Sequence, residues 1–416
     1  MSIAGHIRDD CRLCLEPGLV QVLQLASTPP ANELLHNSEL SKNQTEFPLG
    51  IWRCLSCHHF QLPCVVNSTR LFHDYVYVSG TSKIFVDHFR QYAESMAKYL
   101  SDKDRVLDIG SNDGTLLRFF SEAGHQVLGV DPAIKIAARA TESGIDTIGE
   151  FFSHSLAEHI LRTRGYFSLI TANNVFAHVD NLPEFTKSVK YLLNPEGMFV
   201  FEVSYLLDVC NRTLFDTIYH EHLSYHTLNA LIPFFSRLGM SLIDVERINT
   251  HGGSIRCHVK NGLGYSPSPT VHKLLELEND AGLGPRYSLR MDAVYKLGFD
   301  VKILGSKLLT LLSEIKSSGG TIVGYGAPAK ATTLMYEFGL GLDVLDFIVD
   351  DSPLKQGLYT PGKKVPIFPT SAIREKRPTH IFILAWNFAD SIVRSNTWFS
   401  DMGGKFIVPL PNLMVI

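Results

Sequence analysis

Apolar segments of strand length alternate with helical segments in two successive series, and this alternation restricts the fold more than any other feature of the sequence. The strand-like segments are 105–109, 126–130, 166–171 and 198–203 in the first series and 321–326, 344–350, 379–386 and 405–411 in the second. Such alternation is typical of a parallel sheet covered by helices. The sequence therefore predicts two α/β units.

Further segments complete the expected architecture. Residues 83–100 place apolar side chains on one helical face, and 241–246 with 254–259 are expected to form a hairpin that closes the first sheet. After the SPSP segment at 266–269, apolar residues spaced three and four apart over 294–315 predict one long helix. That helix fits either coiled-coil pairing or docking on its own domain, and we favour docking.

The composition excludes several classes of protein. Of 416 residues, 45% are hydrophobic and 19% are charged, which rules out a disordered chain. The net charge of −4 offers no general attraction to nucleic acid or to an anionic membrane. No apolar run approaches the ~18 residues of a membrane span, and the start MSIAGHIRDD lacks the pattern of a signal peptide. We therefore expect a cytoplasmic protein.

Two Cys-x2-Cys pairs near the start of the chain, Cys11 with Cys14 and Cys54 with Cys57, point to a metal. Each pair can present two thiolates from a tight turn, and four thiolates complete a tetrahedral zinc shell with no position left for substrate. A thioredoxin-like redox site is the weaker alternative, because neither pair lies between a strand and a helix. The pattern predicts a structural zinc site. The other cysteines are expected to be buried or unpaired thiols: Cys64, Cys210 and Cys257.

The segment VLDIGSNDGTLL (106–117) is the strongest motif of the first series. Asp108 ends a strand, and Gly110 and Gly114 flank a turn into a helix whose N-terminal amides can face a cofactor. Asn112 stands where a dinucleotide turn has its second glycine, so the motif instead resembles the S-adenosylmethionine signature of class I methyltransferases. Asp131, the acid that follows the next strand, should bind the ribose hydroxyls of the cofactor. The predicted cofactor residues are Asp108, Gly110, Asn112, Gly114, Asp131, Pro132 and Asn174.

The segment TIYHEHLSYH (217–226) is dense in titratable side chains. Removing a proton beside a ketone requires a base with a pKa near neutrality, and histidine is the usual choice. A neighbouring glutamate can orient the imidazole, and a tyrosine can donate to a developing enolate oxygen. The alternatives are two metal ligands in the His-x-His pair or a surface cluster without function. His178, after the fourth strand, is expected on the cofactor side.

The segment GYGAPAKA (324–331), at the start of the second series, has the layout of a nucleotide-binding site. It follows a strand and begins a helix, and two aspartates, the first of them Asp350, end the next strand. Lys330 could meet a phosphate and Lys355, in a loop that could cover substrate, could be a second phosphate contact. Ala329 replaces the third glycine of the nucleotide motif, and a purely structural turn is the alternative. The predicted site residues here are Gly324, Gly326, Ala327, Lys330, Asp350 and Lys355.

Taken together, these motifs resemble a known family, the sugar C-methyltransferases of deoxysugar biosynthesis, which act on nucleotide-linked 4-keto-6-deoxyhexoses. The resemblance spans essentially the whole chain. Besides the two cysteine pairs, it rests on YVYVSGTS (75–82), EVSY (202–205), YHEH (219–222), HGGS (251–254), GYGAPAK (324–330), VDDSPLKQG (349–357) and ILAWN (383–387). It implies a zinc module at 1–78, a Rossmann-like methyltransferase domain at 79–262 and a second Rossmann-like α/β domain at 263–416 that helps hold the nucleotide.

The resemblance also implies roles for individual side chains. The last histidine of the Tyr-x-Glu-His motif is the favoured base in the family, which gives this role to His222. Zinc takes no part in the reaction. This sequence has His220 where some relatives have aspartate inside the motif. The implied companions of the base, together with the residues expected to reach the sugar, are Tyr219, Glu221, His178, Tyr77 and Ser79.

The expected reaction is methyl transfer from S-adenosylmethionine to C-3 of the sugar, through an enolate formed by His222. Three alternatives remain open at this stage. They are methylation at C-5 or of a related sugar nucleotide, an NAD-dependent sugar-nucleotide oxidoreductase or isomerase, and a non-enzymatic scaffold with a degenerate cofactor fold. The nucleotide is either thymidine or guanosine diphosphate. We expect a monomer, although the heptad-like helix would allow a dimer.

Overall fold

The computed structural model describes residues 5–72, 80, 83–285 and 292–416. The first part is a small antiparallel β unit that contains both cysteine pairs. Its elements are β1 (Gly5–Ile7), β2 (Leu19–Thr28), β3 (Phe47–Cys54), β4 (Phe60–Gln61), β5 (Cys64–Val66) and α1 (Ser68–Phe72). Strands β2, β3 and β4 pair in one sheet, and β1 pairs with β5.

The middle of the chain forms a seven-stranded sheet covered by helices. Its elements are α2 (Lys83–Ala97), β6 (Arg105–Ile109), α3 (Thr115–Glu122), β7 (Gln126–Val130), α4 (Ile134–Glu142), β8 (Thr147–Ile148), α5 (His154–Arg164), β9 (Phe167–Asn173), α6 (Leu182–Leu192), β10 (Leu193–Ser204), α7 (Leu206–Asn211), β11 (Ser224–Tyr225), α8 (Leu228–Arg237), β12 (Met240–Ile248), β13 (Ser254–Asn261) and α9 (Pro269–Asp280). The strand order is β12-β13-β10-β9-β6-β7-β8. Strand β11 leaves this sheet and pairs with β4 of the first unit.

Five strands of this sheet, β6 to β10, run parallel, and β12 and β13 form the predicted antiparallel hairpin at its edge. From β6 the chain proceeds to β7 and β8 on one side, then returns to β9 and β10 on the other. The direction of winding therefore changes between β6 and β9. In open α/β sheets, ligands bind outside the carboxyl ends of the strands at such a switch point.

The last part is a second α/β unit. Its elements are α10 (Ala293–Ser317), β14 (Ile322–Tyr325), α11 (Ala329–Glu337), β15 (Ile348–Val349), β16 (Ile367–Phe368), α12 (Ala372–Lys376), β17 (His380–Ile383), α13 (Ala389–Ser395), α14 (Thr397–Asp401), β18 (Lys405–Val408) and β19 (Met414–Val415). The strand order is β16-β15-β14-β17-β18-β19, parallel except for β19. Its switch point lies between β14 and β17.

This architecture confirms the predicted fold class, with two α/β units behind a cysteine-rich module. The predicted strand at 344–350 is reduced to Ile348–Val349, because the amides of Val344 and Leu345 bond back to the carbonyl of Gly341 in a turn. The long helix is present as α10. The favoured docking on its own domain is only part of its packing, because α10 meets Phe338 of its own unit but also packs on β2 and α7 outside it. Buried apolar side chains of all three parts accordingly form one continuous core.

In the described part of the chain, no helix combines the length and the apolar character that crossing a membrane would need.

Candidate active site

The cofactor motif lies at the switch point of the middle sheet. Gly110, Asn112 and Gly114 all adopt positive φ angles, of 73°, 51° and 75°. A Cβ on Gly110 would lie 2.3 Å from a methyl carbon of Val175, so only glycine fits there. Asparagine tolerates the left-handed conformation better than most residues do, which explains why Asn112 can replace a glycine in this turn.

Asp131 fixes the turn from the neighbouring strand. Its Oδ2 accepts the backbone N–H of Asn112 at 2.8 Å, and its Oδ1 accepts that of Ala133 at 2.8 Å. Burial raises the pKa of this carboxyl group. Each carboxylate oxygen retains a second lone pair, so the group can also accept hydrogen bonds from the ribose hydroxyls of a cofactor. Pro132 follows Asp131 in the same loop, before helix α4 begins.

Two further polar groups of the switch point fit a polar cofactor. The Asp108 carboxyl group is buried and accepts the hydroxyl of Thr171 at 2.7 Å, and burial raises its pKa to about 7. At the end of β9, both amide atoms of Asn173 are buried without a hydrogen-bond partner among the described residues. Asn174 follows with a positive φ of 56°. The donors and acceptors present here fit S-adenosylmethionine.

His222 is held in one defined tautomer. Its Nδ1 lies 2.8 Å from the carbonyl oxygen of Thr217, so this nitrogen carries the proton. Its Nε2 accepts the hydroxyl of Tyr219 at 3.1 Å and is the nitrogen that can act as a base. The ring of His178 lies 5.1 Å from the ring of His222, centroid to centroid. The structure therefore brings together three of the predicted catalytic side chains.

Desolvation lowers the pKa of His222 to about 4, while the hydrogen bond to Thr217 acts in the opposite direction. The imidazole is consequently neutral at pH 7, which is the form that can accept a proton, but its pKa lies below the near-neutral value expected of the base from the sequence.

Glu221 does not orient the imidazole, although the sequence suggested that a glutamate could do so. Its buried carboxyl group accepts the side-chain amide of Asn32 at 2.7 Å, and burial raises its pKa to about 7. The orienting acceptor is instead the backbone carbonyl of Thr217. His220 is buried and its Nε2 lies 3.2 Å from the carbonyl of Pro48. Both side chains thus attach the segment 217–226, here called the His222 segment, to the first unit.

The four cysteines of the two pairs converge as predicted, with all Sγ atoms within 4.8 Å of one another. The distances are 3.4 Å from Cys11 to Cys57 and 3.6 Å from Cys14 to Cys54. A tetrahedral zinc ion with Zn–S bonds of about 2.3 Å separates its thiolates by roughly 3.8 Å, so the four residues fit zinc. The described residues contain no other group of three or more His, Cys, Asp or Glu side chains that could hold a metal, so the His-x-His pair has no third ligand among them.

The second switch point repeats the backbone arrangement of the first. Asp350 accepts the N–H of Ala327 at 2.7 Å through Oδ2 and that of Ser352 at 2.8 Å through Oδ1. Gly326 has a φ of 85°, and a Cβ there would lie 2.5 Å from that of Ala385. Gly324 lies inside β14, where a Cβ would clash with a side-chain carbon of Ile348 at 2.7 Å. Gly324 is thus a packing residue of the sheet.

Two lysines surround this second switch point. The Nζ of Lys355 donates to the carbonyl of Ala327 at 2.9 Å and lies 3.6 Å from Oδ2 of Asp350. The Nζ of Lys330 donates to Oδ1 of Asn387 at 2.6 Å and lies 3.5 Å above the ring of Trp386. Lys330 thereby spans from the start of α11 to the loop after β17, across the switch point. Burial lowers its pKa to about 8.

The His222 segment, together with Asp216 just before it, is attached to both α/β sheets. Next to β9, the amide of Ser224 donates to the carbonyl of Ala177 at 3.1 Å. On the side of the last unit, the hydroxyl of Thr333 donates to the carbonyl of Ile218 at 2.7 Å. The indole N–H of Trp386 also donates to Oδ2 of the buried Asp216, at 2.6 Å. His222 therefore lies on a segment that bridges the two switch points.

Sequence reasoning missed several of these groups for identifiable reasons. The role of Thr217 comes from its backbone carbonyl, and no side-chain pattern can reveal that. Asn32 and Asp216 act through partners distant in sequence. Trp386 belongs to the ILAWN motif (383–387) but received no role, although an aromatic side chain just after a strand that flanks a switch point is a ligand-site signal. Tyr77 and Ser79, by contrast, lie outside the described residues.

Comparison with known proteins agrees with this arrangement. Residues 11–72 match a zinc binding domain family, residues 85–245 a methyltransferase domain family, and residues 249–411 the family described as the C-methyltransferase C-terminal domain. The C-methyltransferase NovU of Streptomyces niveus is 33% identical over 411 residues, which are 98% of this chain and 97% of that relative.

Other similarities cover less than half of this chain. A ubiquinone biosynthesis O-methyltransferase of Actinobacillus pleuropneumoniae is 31% identical over 133 residues, covering 30% of this chain and 52% of that protein. Among solved structures, the magnesium protoporphyrin IX methyltransferase of Synechocystis PCC 6803 with bound SAH matches 45% of this chain and 90% of its own, with 16% identity and a TM-score of 0.34.

Proposed function

This chain belongs to the C-methyltransferase family, and from that premise we propose that it methylates C-3 of a nucleotide-linked 4-keto-6-deoxyhexose. The enzyme uses S-adenosylmethionine and has a zinc-binding module. The observation that carries the proposal is the position of His222, a neutral, oriented base on a segment bonded to both switch points.

The first step is removal of a proton from the carbon beside the ketone, whose acidity the C-4 carbonyl increases. Nε2 of His222 takes this proton, and the electron pair of the broken C–H bond forms the enolate. The imidazolium produced is stabilised by the carbonyl of Thr217, which accepts the Nδ1 proton at 2.8 Å. Tyr219, whose hydroxyl now rests on Nε2 at 3.1 Å, is released by this protonation and can donate to the enolate oxygen.

The second step is formation of the new C–C bond. S-adenosylmethionine supplies an electrophilic methyl group on a sulfonium, which becomes a neutral thioether on transfer. The residues of this chain position the reactants, with Asp131 and the turn at 110–114 holding the cofactor and His178 next to the base. Exclusion of water by the surrounding segments strengthens these polar interactions. Cys11, Cys14, Cys54 and Cys57 would hold zinc as a closed structural shell, outside the reaction.

The nucleotide is assigned to the second switch point, where Lys330 and Lys355 supply positive charge. In this proposal the chain divides into a zinc module (1–78), a methyltransferase domain (79–262) and a nucleotide-sugar domain (263–416), and it acts as a cytoplasmic monomer in deoxysugar biosynthesis. Tyr77 and Ser79 are assigned to the sugar. The nucleotide is thymidine or guanosine diphosphate.

The test is to incubate the purified protein with S-adenosylmethionine and, separately, with dTDP- and GDP-4-keto-6-deoxyhexoses in heavy water. Mass spectrometry then reports methylation and proton exchange in one experiment, and NMR of the product locates the methyl group. We expect a gain of one methyl group at C-3 with one of the two nucleotides.

Other outcomes decide against parts of the proposal. A methyl group at C-5 would move the acceptor carbon while retaining the substrate class. Deuterium uptake without methylation would retain the base and reject the sugar or the carbon. If neither occurs although S-adenosylmethionine binds, the sugar-nucleotide assignment is rejected.

A further inference from the structure

A buried arginine inside the first cysteine turn lies between the zinc module and the catalytic loops. Arg12 is placed between Cys11 and Cys14, and its side chain is fully buried. Its backbone N–H donates to the side-chain carbonyl of Gln61 at 2.8 Å, which fixes the turn on strand β4. The guanidinium group makes polar contacts with Leu62 of the same module and with two segments outside it.

The first contact leads to the loop of His222. Nη1 of Arg12 donates to the carbonyl oxygens of Leu62 at 2.5 Å and of Leu223 at 3.2 Å. The amide of Leu62 also donates to Leu223, at 2.9 Å, and β11 continues from there as a strand paired with β4. Leu223 directly follows His222 in the sequence. The peptide after the base is thus held by a side chain and a backbone group of the zinc module.

The second contact leads to the loop of His178. Nε of Arg12 donates to Oδ1 of Asp180 at 3.0 Å, and Asp180 lies two residues after His178. Asp180 also accepts Nη1 of Arg8 at 3.1 Å. One guanidinium group therefore joins the two histidine-bearing loops. A planar group with a fixed fork of donors sets such distances more strictly than a flexible ammonium group does.

We infer that Arg12 is a positioning residue for methyl transfer, which fixes the loops of His178 and His222 relative to each other through Asp180 and Leu223. The inference rests on the proposed function, because it takes His222 as the base. It gives the zinc module a defined task in the reaction, because the cysteine turn, which a bound zinc ion would hold, presents this arginine. Arg12 itself touches neither reactant.

The chain offers a matched control in Arg53. This second buried arginine of the zinc module precedes Cys54 and docks the module elsewhere. Its Nη1 pairs with Asp292 at 3.1 Å and donates to the carbonyl of Gly282 at 3.2 Å, and its Nη2 donates to that of Gly284 at 2.7 Å. Losing Arg53 should therefore destabilise the docked module without moving the histidine loops.

The experiment compares Arg12→Met, Arg12→Lys and Arg53→Met with the full-length wild-type enzyme. The measurements are kcat, KM for the sugar nucleotide, Kd for S-adenosylmethionine, zinc content and Tm. For Arg12→Met we expect kcat to fall ten- to one-hundredfold, with the Kd within about twofold of wild type and a full complement of zinc. Arg12→Lys should recover at least fivefold of that loss, while Arg53→Met should keep kcat within about threefold although its Tm falls.

Equal losses of kcat in Arg12→Met and Arg53→Met would overturn the inference, since both effects would then be general destabilisation. If Arg12→Met does not fold, Asp180→Asn decides, because Asp180 is partly exposed and its loop should tolerate the change. A fivefold or larger fall of kcat in that variant supports the inference, and an unchanged kcat rejects it. Failure of the proposed function would be recognised separately, by a wild-type enzyme that methylates no keto-sugar nucleotide.

Discussion

The two switch points of this molecule share a backbone arrangement but differ in charge. In each, an aspartate at the end of the second strand accepts one N–H from the glycine turn and one from two residues after itself, as Asp131 and Asp350 do. At Asp350 a lysine, Lys355, lies 3.6 Å from the carboxylate, and a second acid, Asp351, is also present. At Asp131 the neighbouring charge is a second acid, Asp113, which raises the pKa of the carboxyl group further.

Under the proposed function, this difference assigns one reactant to each sheet. An acidic switch point suits a cofactor that carries a sulfonium, an ammonium group and ribose hydroxyls, whereas lysines suit a diphosphate. The shared backbone is the generic part, since a buried aspartate fixes a glycine turn equally well in both sheets. The side chains added around it determine the ligand. His222 lies on the segment between the two, so each site can be tested without disturbing the other.

The largest effect is expected from the base between the two sites. His222→Asn should lower kcat 100- to 10,000-fold, the usual contribution of a general base, because asparagine cannot take the proton. Calorimetric titration should give unchanged affinities for both ligands. The control is His272→Asn, the same substitution at an exposed histidine of α9, for which kcat should stay within a fewfold. A near-normal kcat in His222→Asn would remove the base assignment altogether.

The next effect separates the acidic site from the basic one. Asp131→Asn should weaken S-adenosylmethionine binding about ten- to one-hundredfold, the loss expected for hydrogen bonds from hydroxyls to a charged acceptor. KM for the sugar nucleotide should stay within twofold. Both constants can be measured by varying one reactant at saturation of the other. If S-adenosylmethionine binding weakens and KM for the sugar nucleotide also rises, the two sites are not independent and the comparison fails.

A smaller effect, on the other reactant, is expected at the basic site. Lys330→Met should raise KM for the sugar nucleotide about tenfold, since one charge-assisted contact with phosphate is worth roughly 1.4 kcal/mol. The Kd for S-adenosylmethionine should not change. Lys316→Met is the control, because this lysine of the same unit pairs with Asp346 at 2.9 Å, away from the switch point. An unchanged KM in Lys330→Met would place the nucleotide elsewhere.

The sequence predicted the generic features of both sites well. The two series of alternating segments, the turns at 110–114 and 324–327 and the four converging cysteines follow from local patterns, and local patterns are what a sequence displays. The edge hairpin and the long helix α10 were also recognised, for the same reason. These features need only periodicity and the conformational needs of glycine.

The contacts that join the units could not be predicted in this way. Arg12 reads as an ordinary residue between two cysteines, yet it bonds to Leu223, which is 211 positions away. Thr333 bonds to Ile218 across 115 positions. Such pairs depend on how three units dock, and docking is decided by the combined fit of many buried side chains. The sequence therefore indicated the local turns and side-chain clusters better than the contacts that position them.

The smallest expected effect is a pH dependence confined to the basic site. Burial lowers the pKa of Lys330 to about 8, so its charge is present below pH 8 and is lost as the pH rises through this value. KM for the sugar nucleotide should rise about fivefold from pH 7 to pH 9, while His222, with a pKa of about 4, stays neutral throughout. Lys330→Arg should keep KM flat over this range, because arginine remains charged. The same rise in that variant would show that another group titrates, and it would reject Lys330 as the source of the pH dependence.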